Sequence, residues 1–435
     1  MTGRYWVETL GCPKNQVDSD KLAGTLAADG LVPAGDPGDA DVIVVNTCAF
    51  IEAARQESVE TVLALSGARR PGARLVVTGC LAERYGSELA EALPEADLVA
   101  GFGVPVSLVD KPGASRFDLL NLPRPPAEAP WAYLKVAEGC DRTCGFCAIP
   151  SFRGPQRSRS MEAILAEVDS LGAAEVVLVA QDLASYGRDL GRHGDIVPLV
   201  RAVAAKVPRT RLLYLYPSEL TDGLIEAMGE TACPYFDLSL QHASKAHLRR
   251  MRRWGDGSRF LARIEAIRWR EPEAAFRSSF IVGYPGETEA DHDELLRFLE
   301  EAQLDWAGFF AFSPEEGTHA AGMADQVPPA LVAERLLECG ELQDGITARR
   351  RAALIGSTTT VLVDRAGVGR SHREAPEIDG IIRLPEVTSP DAGGYCAGAH
   401  HAGAPGRFVE VEITGAEGPD LEARPVPAEV TACGG

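Results

Sequence analysis

Short apolar runs closed by Gly, Asn, Thr or Cys alternate with stretches of helical periodicity through most of the chain. In the first hundred residues Tyr5 to Leu10, Asp41 to Val45 and Arg74 to Val77 read as strands, ending at Gly11-Cys12, Asn46-Thr47-Cys48 and Thr78-Gly79-Cys80. Ser19 to Ala28 and Ala53 to Leu65 carry the spacing of helices. Strands separated by helices predict a parallel sheet, in which residues just past the carboxyl ends of the strands gather along one edge. Cys12, Cys48 and Cys80 are therefore expected to meet.

Pro112, Pro123, Pro125, Pro126 and Pro130 mark residues 111–130 as an extended linker after a first domain at 1–110. The alternation then resumes, with strands predicted at Tyr133 to Val136, Glu175 to Ala180, Arg211 to Tyr216, Phe236 to Leu240, Phe276 to Val282 and Ala307 to Phe312. Ser160 reads as a helix N-cap, and Thr288 with Asp291 as a capping box. Six βα units over 131–354 predict an incomplete barrel whose functional groups follow the strands on one face. After a helical stretch from Pro329 to Leu354, short strands at Thr358 to Val363, Gly380 to Leu384 and Phe408 to Thr414 predict a small barrel over 355–435. The expected class is α/β: an N-terminal Rossmann-like parallel-sheet domain, a central partial TIM-type (βα)6 barrel and a C-terminal small antiparallel β-barrel.

Charge narrows the partners. The 435 residues carry 43 Lys and Arg against 63 Asp and Glu, a formal net charge of −20. That balance opposes direct nucleic-acid binding and favours a basic protein. The last module repeats it, with twelve acids and six arginines from Ile355 to Gly435. No apolar run reaches the length that spans a membrane, so the expectation is a cytoplasmic protein. In such a chain ten cysteines point to metal or redox sites rather than to a disulfide framework.

The sharpest chemistry lies at Cys140, Cys144 and Cys147, a C-x3-C-x2-C loop containing Asp141, Arg142, Thr143, Gly145 and Phe146. Three thiolates with no fourth nearby fit an iron–sulfur cluster with one open iron. Buried free cysteines are the bland alternative. The first-domain trio is read as a second such site, with zinc held by the same thiols and water as the competing metal. The other predicted strand ends carry Gln181 and Asp182; Pro217, Ser218 and Glu219; Gln241 and His242; Gly283, Tyr284, Pro285, Gly286 and Glu287; and Ser313. Together they form a plausible rim for a polar cosubstrate. Singly, Gln181 fits a loop cap, His242 a core partner for carbonyls, Gly283 and Gly286 a turn, and Phe146 either an adenine contact or a hydrophobic layer. Arg153, Arg157 and Arg159, and Arg249, Arg250, Arg252 and Arg253, fit a solvated helix face or a grip on a carboxylate. Cys233, Cys339, Cys396 and Cys433 share no spacing and read as structural.

The loop spacing resembles that of radical S-adenosylmethionine (SAM) enzymes, and the whole chain resembles the methylthiotransferases, most closely their RimO-type branch. The residues that carry the likeness are Gly11-Cys12-Pro13-Lys14-Asn15, Asn46-Thr47-Cys48-Ala49-Phe50-Ile51, Thr78-Gly79-Cys80-Leu81, Ala132-Tyr133-Leu134-Lys135, Gly139-Cys140-Asp141, Tyr214-Leu215-Tyr216-Pro217 and Ala375-Pro376-Glu377-Ile378-Asp379-Gly380. The resemblance implies a TRAM domain at 355–435 and β-methylthiolation of an aspartate of small-subunit ribosomal protein twelve, one SAM serving as methyl donor and one as radical source. It implies two [4Fe-4S] clusters, the SAM-binding one on Cys140, Cys144 and Cys147 and an auxiliary one on Cys12, Cys48 and Cys80. Phe146, Gln181, Asp182, Ser218, Gln241, Gly283 and Glu287 become the expected cofactor contacts, and an electron donor is required. The sister branch, which modifies adenosine in tRNA, typically has Gln-Met in place of Pro13-Lys14 and Asn in place of Asp141. It and a non-catalytic iron–sulfur carrier are the rival readings. Gly369 to Arg373 and the insertion Gly393 to Gly406 depart from the family pattern.

Overall fold

The computed structural model describes residues 2–107, 117–231, 233–385 and 404–426. Lys111, Pro112 and Gly113 of the predicted linker, residues 393–403 of the insertion, Cys396 and Cys433 lie outside the described residues.

Five strands, β1 (Arg4–Thr9), β2 (Val32–Pro33), β3 (Val42–Thr47), β4 (Arg74–Gly79) and β5 (Leu98–Ala100), form one parallel sheet in the order β2-β1-β3-β4-β5. Helices α1 (Pro13–Ala28), α2 (Glu52–Ala68) and α3 (Cys80–Ala92) link them. Every residue of β3 is buried, because both faces of the sheet are covered, which explains its unbroken apolar run. The strand order reverses between β1 and β3, and that crevice is where open α/β sheets place ligands. Cys12 and Cys48 follow those two strands, and Cys80 follows the adjacent β4. Helix α1 starts six residues before the predicted Ser19, because Pro13 brings a preset φ and needs no partner for a missing N–H, leaving Cys12 as the N-cap.

The second domain contains β6 (Trp131–Lys135), β7 (Ala137–Glu138), α4 (Ile149–Arg153), β8 (Arg157–Ser158), α5 (Met161–Leu171), β9 (Glu175–Val179), α6 (Ile196–Ala204), β10 (Arg209–Leu212), α7 (Asp222–Glu230), β11 (Tyr235–Gln241), α8 (Lys245–Arg250), α9 (Gly257–Arg270), β12 (Ala275–Val282), α10 (Glu289–Ala302), β13 (Trp306–Ala311) and α11 (Pro329–Ala352). Two parallel three-stranded sheets, β6-β9-β10 and β11-β12-β13, meet through a Leu215–Leu238 bridge and make the open half-barrel. The predicted strand Arg211 to Tyr216 breaks after Leu212. Tyr214 turns to φ 66° and donates its N–H to Asp237 Oδ2 at 2.9 Å instead of to a strand neighbour. The Ser160 cap and the Thr288–Asp291 capping box form as expected. The β7–β8 ribbon brackets the cysteine loop, and only glycine fits at Gly139, where a Cβ would lie 2.1 Å from the Pro155 carbonyl oxygen.

The last module is a closed barrel of β14 (Thr358–Arg365), β15 (Val368–Arg370), β16 (Ile382–Arg383), β17 (Phe408–Glu417) and β18 (Asp420–Pro425), in the order β14-β15-β16-β18-β17. Its pairs are antiparallel except β16 with β18. The atypical segment at Gly369 therefore includes a barrel strand. Beyond it, residues 371–379 enter the amino-terminal end of the half-barrel. Tyr133 Oη donates to the Pro376 carbonyl at 3.0 Å, Trp306 Nε1 to that of Arg373 at 2.6 Å, and Ala375 packs with Val177, Val179 and Tyr235. One end of the lumen is thus sealed by the chain itself, and the other is left for chemistry. No helix among the described residues is long and apolar enough to cross a membrane.

Candidate functional site

The three cysteines of the first domain converge from adjacent strand ends. Gly11, at φ +90°, lies so close that a Cβ there would sit 2.8 Å from Cys48 Sγ. Asn15 ties the strand ends together, its Nδ2 donating to the carbonyls of Leu10 (2.8 Å) and Thr47 (3.1 Å) while its Oδ1 lies 3.6 Å from Cys80 Sγ. Arg153 enters from the second domain, and its Nη2 donates to Cys80 Sγ at 3.0 Å and to Asn15 Oδ1 at 2.7 Å. Burial raises the Cys12 thiol, but Lys14, Arg153 and the backbone N–H groups of Asn15 and Lys14 outweigh it and leave it below its ordinary value. Cys48 is pushed up to about 12, and Cys80 is also raised, first by burial and further by the neighbouring thiols. A cation bound among these thiols would release their protons. The donor set of three thiols and no fourth protein ligand fits an iron–sulfur cluster with an open position, and the described cysteines are all free.

The thiols of the loop trio also act on one another. Burial raises Cys140 to about 11 and Cys147 to about 12, with Cys144 adding to both. Its loop is fastened to the barrel by Arg142, whose Nε meets Asp182 Oδ2 at 2.6 Å and whose Nη2 meets Glu219 Oε1 at 2.9 Å. Tyr216 lies between two guanidinium groups, Arg142 3.9 Å and Arg253 4.0 Å from the ring centroid, and Arg253 Nη1 reaches Cys144 Sγ at 3.5 Å. For Arg153, Arg159 and Arg253 a solvated helix face does not hold: Arg159 is buried, and Arg153, whose side chain is 3% exposed, and Arg253 are half-buried residues. Arg157, Arg249 and Arg252 remain exposed.

Gln181 donates through Nε2 to Glu138 Oε1 at 2.7 Å, while its Oε1 and the Asp182 Oδ1 are buried acceptors without a partner. Two orphaned acceptors after β9, beside the cysteine loop, fit polar hydrogens of a cosubstrate. Phe146 packs on the barrel core, Gln241 is half-buried at φ 73°, and Ser218 is exposed on a 3-10 turn, Pro217–Glu219. Glu287 accepts from the Gly283 N–H and pairs with Arg335 at 3.0 Å, so its carboxylate holds the loop after β12. His242 is buried, accepts the Ser244 N–H at 3.0 Å, and packs with its ring centroid 4.5 Å from that of His247. Ser313 faces the first domain, accepting the Glu52 N–H at 3.2 Å.

The two trios are joined by α4. Its Ala148 and Phe152 are buried in the first domain's core with Cys80 and Leu81, so the segment that leaves Cys147 belongs to both domains. Five residues separate Cys147 from Arg153, and the helix Ile149–Arg153 supplies roughly 6 Å of rise between them. Around this hinge lies a buried charge set: Lys135 pairs with Asp18 and, at 2.7 Å, with Glu138, and Arg153 meets Glu138 at 2.8 Å and Asp18 at 3.3 Å. On the far side Arg55 and Arg84 both hold Glu315 after β13. The first domain is therefore pinned to the barrel mouth at two places. Asp18, Asn15, Glu138 and Glu315 carry no spacing signature, and only their pairing shows their role. Arg153→Met is expected to weaken metal retention at the Cys12 trio by roughly 10–100-fold, read as iron lost per chain during a chelator challenge.

Comparison with known proteins matches residues 4–101 to "Uncharacterized protein family UPF0004", 134–299 to the Radical SAM superfamily and 355–426 to the TRAM domain. A protein of Salinispora tropica named ribosomal protein uS12 methylthiotransferase RimO is 43% identical over 96% of this chain and 94% of its own. Bearers of the same name in Saccharopolyspora erythraea and Moorella thermoacetica are 41% and 44% identical, over 98% and 89% of this chain and 96% and 94% of theirs.

Proposed function

The chain belongs to the ribosomal protein uS12 methylthiotransferase family, and from that premise we propose that it β-methylthiolates an aspartate of this basic ribosomal protein with two [4Fe-4S] clusters, one on Cys140, Cys144 and Cys147 and one on Cys12, Cys48 and Cys80. The clusters and SAM supply the radical, the sulfur and the methyl group when bound, with an external donor providing the electron. The chain's own part is position and shielding. Arg142 and Glu138 fix the cysteine loop against the strand ends, Gln181 Oε1 and Asp182 Oδ1 offer acceptors to SAM, and Gly283 with Glu287 shapes the far wall. The first domain, held by Arg153 on one side and Glu315 on the other, limits water at a site where a carbon radical must meet one partner only.

The observation that carries this reading is α4, which leads from one trio and delivers Arg153 to the other. The acidic terminal barrel supports a protein partner over RNA, and the enzyme reading over a carrier rests on the family. The test is anaerobic incubation of the iron-reconstituted protein with SAM, a reductant, the ribosomal protein and unmodified tRNA. Mass spectrometry should find methylthio-aspartate together with 5′-deoxyadenosine. Methylthiolated tRNA adenosine in place of the protein product would refute it.

A further inference from the structure

Lys14 is the second residue of α1, two positions past Cys12, and only 8% exposed. Its Nζ stands 3.3 Å from the centroid of the Tyr214 ring, at the carboxyl end of the barrel strands. The cations around it all have carboxylates. Lys135 has Asp18 and Glu138, and Arg153 has the same two. The opposite charges that act on Lys14 are the Cys12 thiolate first and then Asp237, a carboxylate already engaged by Arg277 Nη1 at 3.3 Å and by the Tyr214 N–H. Among the described residues no hydrogen bond or ion pair reaches the Lys14 ammonium. A desolvated ammonium resting on an aromatic face, without a carboxylate, is an incomplete arrangement. It lies beside the Cys12 trio, in contact with a barrel residue.

We propose that Lys14 is the specificity-determining cation that receives the carboxylate of the target aspartate. The assignment rests on the aspartate substrate inferred above and adds the group that reads it. An aspartate side chain whose β-carbon faces the trio carries its carboxylate one bond further on, within reach of an ammonium two residues from Cys12. A neutral asparagine at that position offers no charge to complete the pair.

Two anions compete for this role, the substrate carboxylate and that of SAM, and the Cys12 trio itself is a third source of negative charge. The test uses the full-length reconstituted protein and two peptides spanning the modified loop of the ribosomal protein, one with the target aspartate and one with asparagine there. Wild type should bind the aspartate peptide about 10–100-fold more tightly than the asparagine one. In Lys14→Met that preference should vanish, with both peptides held as wild type holds the asparagine form, while Lys14→Arg keeps most of it. SAM affinity should stay at its wild-type value in Lys14→Met, and because Lys14 also acts on the Cys12 thiol the peptides are compared on samples matched for iron per chain. Equal weakening of both peptides, or lost SAM affinity with the peptide preference intact, would each overturn the assignment. If wild type methylthiolates the aspartate peptide yet shows no preference in binding, Lys14 alone is misassigned. If it neither binds nor modifies that peptide, the substrate reading fails and takes this one with it.

Discussion

Alanine at Cys12, Cys48 and Cys80 together is expected to cut the iron of reconstituted protein from about eight to about four atoms per chain and to abolish methylthiolation, while SAM is still cleaved to 5′-deoxyadenosine. The geometry separates the two losses. Within each trio the thiols act on one another, and the two trios stand on different domains. The fold should survive, because Cys80 lies among apolar neighbours that accept a methyl group, and Arg153 keeps Glu138, Asp18 and Asn15 when the thiols are gone. Cys140, Cys144 and Cys147 replaced together should instead stop both SAM cleavage and product formation. Unchanged iron in the first variant would refute a cluster at the Cys12 trio.

The difference between what the sequence predicts and what required coordinates follows the physics of each signal. Strand ends are legible because a buried parallel strand is an apolar run that must stop where its backbone leaves the sheet, so Cys12, Cys48 and Cys80 announce themselves by their place after three such runs. Caps are equally local: Ser160 and Thr288 are decided within four residues. Charge pairing is not local. Arg153 and Arg159 look like one basic patch in sequence, yet Arg153 lies between the two trios and Arg159 meets Glu167 of α5 at 2.6 Å. The break in β10 is similarly hidden, since it depends on Asp237 of the neighbouring strand capturing the Tyr214 N–H. The insertion of residues 371–379 into the barrel is not legible from periodicity, because the contacts that seat it are with residues 67 and 243 positions away.

That insertion carries the second large effect. Glu175→Gln is expected to destabilise the protein by about 3–5 kcal/mol, measured by denaturant unfolding of the full chain. Glu175 opens β9 with no exposed surface, and its oxygens meet Arg211 Nε at 2.7 Å and Arg370 Nη1 at 3.0 Å, with Arg209 Nη1 at 3.9 Å. Arg209 and Arg211 belong to the barrel and Arg370, which also pairs with Asp364 at 2.6 Å, to the terminal module, so the Glu175 carboxylate ties cations of two domains together across their junction. Arg211 also donates to the carbonyls of His372 and Ser371, which keeps it buried when the carboxylate is gone. Burial alone would raise the Glu175 carboxyl, but Arg211, Arg370 and Arg209 outweigh it and lower it to about 2 from an ordinary 4.5. Its stabilising contribution is therefore complete above about pH 4.5 and is lost as the pH falls towards 2. Wild type should show that acid loss, and the glutamine variant, already lacking the charge, should show less of it over the same range. A variant as stable as wild type at pH 7, with an unchanged acid profile, would mean that the three arginines are neutralised elsewhere and that the junction does not depend on Glu175.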